Sequence, residues 1–441
     1  MRRLMLAGIL VARAALCQGA AAGRADRAGD VAPDLALVGG RVYQSAASQP
    51  IENGVVLVRN GRITAVGPAD RVRVPSGAVI VDATGGVVAA GFWNSHVHML
   101  KPGLFGADTL PAAEIASQLE EMLTRWGFTT VFDVASSLDN TNAIRRRIAS
   151  GDVRGPKILT VGEPFYPNGG TPIYVRQFFR DNHLPTAEVG TLDEAVARAQ
   201  RQLHNGADGV KLFAGAIVGG AVGVLPMPVV VATALAAEAH RAGKPVFAHP
   251  SNTQGLDVAI RSGVDVLAHT TPMSGPWPPA LVQQLIAHHL ALVPTLSLFR
   301  VEAAKFGQSA ADAASDMDAA VQQLNAFSRA GGEVLFGTDV GYTDAFDTTE
   351  EYQLMARALD YRQILASLTT NPAARFGFAL TKGRIAKNFD ADLVVLGADP
   401  EKDVTAFARV RYTIRDGKVI YRAAPARQNS GLTGPLEAGI R

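Results

Sequence analysis

The sequence predicts an α/β protein: a (β/α)8 barrel of the TIM type, with a small β-sandwich domain built from both chain ends. Three observations predict it. Eight short apolar runs, at 92–98, 129–134, 157–161, 209–213, 245–249, 264–269, 290–295 and 334–339, alternate with helical stretches, and eight β/α units favour a closed parallel barrel over an open sheet. Short β-rich runs with hairpin turns flank this region on both sides. Polar side chains gather where the apolar runs end, the edge on which such barrels carry their chemistry.

The 441 residues accommodate a barrel of about 250 residues and an appended domain. Lys and Arg total 42 against 40 Asp and Glu, for a net charge of +2. That balance makes no electrostatic case for nucleic acid or an anionic surface, and a small molecule is the expected partner.

In chain order, residues 1–22 read as a signal peptide: Arg2 and Arg3, an apolar run from Leu4 to Ala12, then small residues through Ala22. An exported protein, periplasmic or secreted, is expected. A mitochondrial-type presequence is the rival reading, because Arg24 and Arg27 follow. Cys17, the single cysteine, is a poor lipoprotein acceptor, and without it the mature chain would hold neither disulfide nor thiolate ligand. No other segment approaches the roughly 20 apolar residues of a membrane span.

Residues 33–88 are expected to form the first part of the β-sandwich, with Asn60-Gly61 as a hairpin turn, and residues 379–424 the second part, with Asp416-Gly417 as another. Neither half covers its own sheet edge, so the two should build one domain. The barrel is expected over 89–378, with helices at 113–126, 191–205, 229–242 and 310–329, and a loose tail over 425–441.

His96 and His98 stand two apart in an extended run, so both imidazoles point to one side and can reach one metal ion. Lys211, His249, His269 and Asp339 fall at or near the ends of later runs. Four histidines and an aspartate at a barrel mouth suit zinc or a similar divalent ion. A lysine cation is no ligand, but a buried amine near metal loses its proton more easily and can add carbon dioxide to give a bridging carbamate. An ordinary buried lysine paired with Asp339 is the other reading. His183, His204, His240, His288 and His289 read as surface or structural.

These residues resemble the amidohydrolase superfamily, within it the imidazolonepropionase-like and prolidase-like branch of binuclear hydrolases. Beyond His-Val-His, the likeness includes Gly209-Val-Lys-Leu-Phe, Ala248-His249, Gly263-Val-Asp-Val-Leu-Ala-His269, Gly337-Thr-Asp339 and Thr-Thr-Asn-Pro-Ala-Ala at 369–374. The resemblance implies two divalent metals, expected to be zinc. His96, His98 and Asp339 would hold one, His249 and His269 the other, and carboxylated Lys211 would bridge them. It also implies a homo-oligomer. Asn94, Ala90, Gly169-Gly170-Thr171 and Ala268-His269-Thr270 depart from the pattern, the last two where substrate class would be set.

The expected activity is hydrolysis of a C–N bond in a small amide, an N-acyl amino acid or dipeptide-like amide. A metal-activated hydroxide would attack, with Asp339 shuttling the proton. Tyr166, Tyr174, Arg176 and Tyr342 are the substrate-contact candidates: aromatic walls with an arginine suit an apolar group bearing a carboxylate. Cyclic amide or imidazolone, lactone and phosphotriester hydrolysis on the same site are alternatives, and a non-catalytic ligand-binding barrel is the alternative from another class.

Overall fold

The computed structural model describes residues 35–181 and 186–424. The expected signal peptide, Cys17, His183 and the tail over 425–441 lie outside the described residues.

Both ends of the described chain enter one eight-stranded sheet. Leu35–Val42, Ile51–Arg59, Arg62–Pro68, Val79–Asp82 and Val87–Ala90 come from one end, and Leu393–Leu396, Val410–Arg415 and Lys418–Arg422 from the other. Val87–Ala90 joins the two sets, running parallel to Leu35–Val42 and antiparallel to Leu393–Leu396. Both expected hairpins form. Asn60 and Gly61 have φ of 50° and 74°, and Asp416 and Gly417 have 48° and 73°, the left-handed pair that matches strand twist. The tips meet: a Cβ on Gly61 would lie 3.1 Å from the Asp416 carbonyl oxygen. Alternate residues of these strands, among them Leu37, Val56, Ile63, Val88, Leu393, Val395 and Ile414, pack into one buried cluster.

Between these ends, parallel strands alternate with helices. Phe92–Val97, Phe128–Asp133 and Lys157–Thr160 form a three-stranded sheet, and Val210–Phe213, Val246–His249, Val266–Ala268, Ala291–Val293 and Glu333–Val334 a five-stranded one. Backbone bonds cross both gaps between them. Phe165 N–H donates to Lys211 O at 2.8 Å, and Ser95 N–H to Phe336 O at 2.7 Å. Side chains of both sheets share one aromatic core, with Phe132 against Phe247 at 4.7 Å and against Phe376 at 4.9 Å between ring centroids.

The expected helices occur as Ala112–Met122, Leu192–His204, Val229–Arg241 and Ala310–Arg329. Thr191 and Ser309 cap two of them, each accepting from the backbone N–H three residues on, a pattern that satisfies donors the helix cannot. Several strands stop earlier than the apolar runs suggest. His269 and Thr295, one and two residues past their strands, have φ of 81° and 45°, left-handed backbone that turns the chain out of the ladder, whereas Glu333–Val334 ends five residues before Asp339, whose φ is 60°. Among the described residues no helix is long and apolar enough to cross a membrane.

Candidate metal centre

Strand ends deliver the site. His96 lies in Phe92–Val97 and His98 just beyond it, and the segment carrying Asp339 runs alongside: His96 O accepts from Asp339 N–H at 3.0 Å, and His98 N–H donates to Val340 O at 2.8 Å. This approach requires glycine on both flanks. A Cβ on Gly337 would lie 2.8 Å from His96 Cβ, and one on Gly341, whose φ is 100°, only 1.9 Å from His98 O. Asn94 ties the same strands together, donating to Thr338 Oγ1 at 2.8 Å and accepting from His96 N–H at 3.2 Å.

Asp339 Oδ1 is 2.7 Å from His98 Nε2 and 3.3 Å from His96 Nε2, and Oδ2 is 3.8 Å from His269 Nε2. The His96 and His269 ring centroids are 4.6 Å apart, and those of His249 and His269 4.7 Å. The structure thus draws His96, His98, His269 and Asp339 into direct contact, with His249 beside His269. His249 stacks on Phe213 at 4.6 Å. Lys211, buried on the neighbouring strand, lines the same cavity.

Hydrogen bonds fix two tautomers. His98 Nδ1 lies 3.0 Å from the carbonyl of Ala135, which can only accept, so Nδ1 carries the proton. His269 Nδ1 lies 2.6 Å from Thr295 Oγ1, whose own hydroxyl donates to Pro294 O, so Nδ1 is again the donor. In their neutral forms both rings would present an Nε2 lone pair inward. His98 Nε2 lies 2.7 Å from Asp339 Oδ1, and among the described residues Asp339 Oδ1 and His96 Nδ1 are buried with no hydrogen-bond partner. Buried polar atoms are rarely left so. A divalent cation would satisfy this donor set of imidazole nitrogens and a carboxylate.

Burial shapes the protonation. It pushes His96 and His249 down to about 3 and His269 well below its ordinary value, which keeps these rings neutral and able to ligate. Desolvation lowers Lys211 to about 7 although Asp339 opposes the shift.

The cluster floors a cavity of about 630 Å³. Tyr166, Tyr174 and Tyr342 line it, as do Phe178 and Phe179, and Tyr174 meets Tyr342 edge-on at 5.6 Å. Arg176 does not line it. Its guanidinium donates to the carbonyls of Thr171, at 3.0 Å, and Val218, at 3.4 Å, so loop backbone holds it away from the cavity lining. Sequence reasoning passed over three residues. Thr295 orients His269. Glu351 accepts from Leu296 and Ser297 N–H and so anchors the backbone after Thr295. Glu302 puts a carboxyl group in the cavity wall. A hydroxyl at the end of the 290–295 run was the one available signal among them.

Residues 87–420 match the model of the amidohydrolase family. A dihydroorotase of Streptococcus pneumoniae is 24% identical over 426 residues, 83% of this chain and 95% of that protein. An adenine deaminase 2 of Bradyrhizobium is 38% identical over 72 residues, only 16% of this chain and 12% of its own length. Among solved structures, a putative prolidase from Bifidobacterium longum has a TM-score of 0.74 at 24% identity, covering 90% of this chain and 97% of that one. A Xaa-Pro dipeptidase has 0.75 at 21%, covering 88% and 100%. These likenesses show a mixed α/β fold shared with prolidase-like amidohydrolases. The chain belongs to the amidohydrolase family, and with it to the hydrolases acting on carbon–nitrogen bonds.

Proposed function

We propose that the protein is a metal-dependent hydrolase that opens the C–N bond of a small amide, a dipeptide-like or N-acyl compound, on the cluster around Asp339. The observation that carries this reading is the convergence of His96, His98 and His269 on the buried Asp339 carboxylate, a group of donor atoms that could hold a metal ion, in a cavity large enough for such a substrate. The names of the neighbours, prolidase and Xaa-Pro dipeptidase, favour a dipeptide, and dihydroorotase keeps a cyclic amide as the second reading.

In this reading His96, His98 and Asp339 would hold one zinc ion and His249 and His269 a second, with carboxylated Lys211 completing the ligand set. The metals supply Lewis acidity, lowering the pKa of water and polarising the carbonyl. Asp339 accepts the proton of the attacking water at its carboxylate and delivers it to the amide nitrogen as that leaves. His269 is held by Thr295 so that its Nε2 stays on the reacting side, and the tyrosine and phenylalanine walls keep water from the rest of the substrate. The two parallel sheets read as one closed barrel over 89–378, with 33–88 and 379–424 as the smaller β domain.

The test joins metal analysis to a hydrolysis screen of dipeptides, N-acyl amino acids and cyclic amides, on the protein and on Lys211→Ala. Two metals per chain, with both metal and turnover reduced in the variant, support the bridged site. A single metal with an active variant makes Lys211 structural. No hydrolysis of any amide by metal-loaded protein retires the reading.

A further inference from the structure

The cavity lining includes a carboxylate, Glu302, on the helix Leu296–Lys305. An arginine would have suited a substrate carboxylate, but Arg176 is held by the carbonyls of Thr171 and Val218. Arg198 and the exposed Arg201 line the cavity, and the Arg198 guanidinium donates to the carbonyls of Ala187 and Pro164 and lies 4.2 Å from the centroid of the Phe165 ring.

Glu302 is firmly placed. Its helix starts immediately after Thr295, the residue that orients His269, and Glu351 holds the first N–H groups of that helix. Among the described residues its carboxylate accepts one hydrogen bond, a long one of 3.4 Å from the Tyr342 hydroxyl. Tyr342 stands three residues after Asp339, and Tyr174 closes on its edge. A carboxylate flanked by aromatic faces attracts a cation twice, through charge-assisted hydrogen bonds and through the ring quadrupoles. Lys305 shows that these rings accept one. Its ammonium lies 4.9 Å from the Tyr342 centroid and donates to the Tyr342 hydroxyl at 3.4 Å, while its stem is exposed at the rim.

We propose that Glu302, Tyr174 and Tyr342 form a subsite for a cationic group of the substrate, an ammonium, amidinium or guanidinium carried beside the scissile amide. The proposal rests on the hydrolase reading and narrows it, from amides bearing a carboxylate to amides bearing a base. Burial and the nearby Asp339 carboxylate push Glu302 up to about 7, and a bound cation would relieve that repulsion.

Isothermal titration of the metal-loaded full chain with benzamidine and with its neutral isostere acetophenone tests the subsite directly. Wild type should bind benzamidine about tenfold more tightly or better, the size of a charge-assisted hydrogen bond. Glu302→Gln should abolish that preference, and Lys305→Ala, which removes a competing cation, should increase it. Equal binding of the two probes by wild type, or a preference that survives Glu302→Gln, overturns the proposal. Dipeptides carrying lysine, norleucine or glutamate at either position then separate the two readings. Turnover without preference for lysine defeats the subsite and spares the hydrolase. Benzamidine preference with no peptide turned over defeats the hydrolase and spares the subsite.

Discussion

Two buried polar clusters in this molecule solve the same problem differently. In the β-rich part, Lys382 and Asp392 are 7% and 5% exposed, yet their charges close on each other. The Lys382 ammonium pairs with Asp392 and with Asp390, 2.9 Å away, and the second Asp392 oxygen accepts from Asp416 N–H at 2.9 Å. Around Asp339, equally buried at 4%, three imidazoles crowd one carboxylate and two polar atoms have no hydrogen-bond partner among the described residues. Burying a charge is tolerated when its partner is buried with it. The first cluster brings its own cation and acts as a brace; in the proposed reading the second receives a cation the chain does not encode.

The comparison can be broken most severely at Asp339. Asp339→Asn removes both a ligand and the proton carrier, and kcat/KM on the amide identified by the screen should fall by about a thousandfold or more, with metal content reduced in the same preparation. An Asn variant of wild-type activity would leave the carboxylate without a role. Lys382→Met strands the buried Asp392 carboxylate, while Asp390 keeps its pairing with Arg62, and should cost about 3–5 kcal/mol in denaturant unfolding. That loss should be the same with and without zinc, and a zinc-dependent loss would show that the clusters are coupled.

Lys211 gives a sign to the pH dependence. Its folded value of about 7 lies below the ordinary lysine value of 10.5, so in metal-free protein the unfolded chain binds the extra proton between those limits. Stability should rise with pH across that window, by up to about 1.4 kcal/mol per unit, and level off below pH 7. Unfolding of metal-free Lys211→Met should lack this contribution, and identical slopes in the two proteins would count against a neutral buried amine. The smallest effect is expected at Thr295. Thr295→Ala deletes the acceptor for His269 Nδ1–H and should weaken zinc binding about 10–100-fold, with Thr295→Ser restoring it. Zinc competition against a chromogenic chelator measures this, and Lys382→Met serves as the variant whose affinity should not move.

Much of this contrast could be read in the sequence. His96, His98, His269 and Asp339 stand at strand ends because apolar runs stop there, and periodicity reveals such stops. The paired hairpins were equally plain, since Asn-Gly and Asp-Gly permit the left-handed turn. What could not be read was direction. Arg176 and Glu302 both sit in polar-looking stretches, and only the positions of the carbonyls of Thr171 and Val218 turn the first away, while the anchoring of Leu296 and Ser297 by Glu351 brings the second in. Nor do the apolar runs reveal that His269, Thr295 and Asp339 take positive φ, because strain of that kind is imposed by tertiary contacts.

The most direct test of the central claim is metal content per chain, by elemental analysis of protein purified without chelator and again after dialysis against zinc. At least one tightly held divalent ion per chain, lost in Asp339→Asn and retained in Lys382→Met, is the result expected of a cluster that holds a divalent cation. Folded protein that holds no metal under either condition would contradict it, and the unpartnered atoms around Asp339 would then need another explanation.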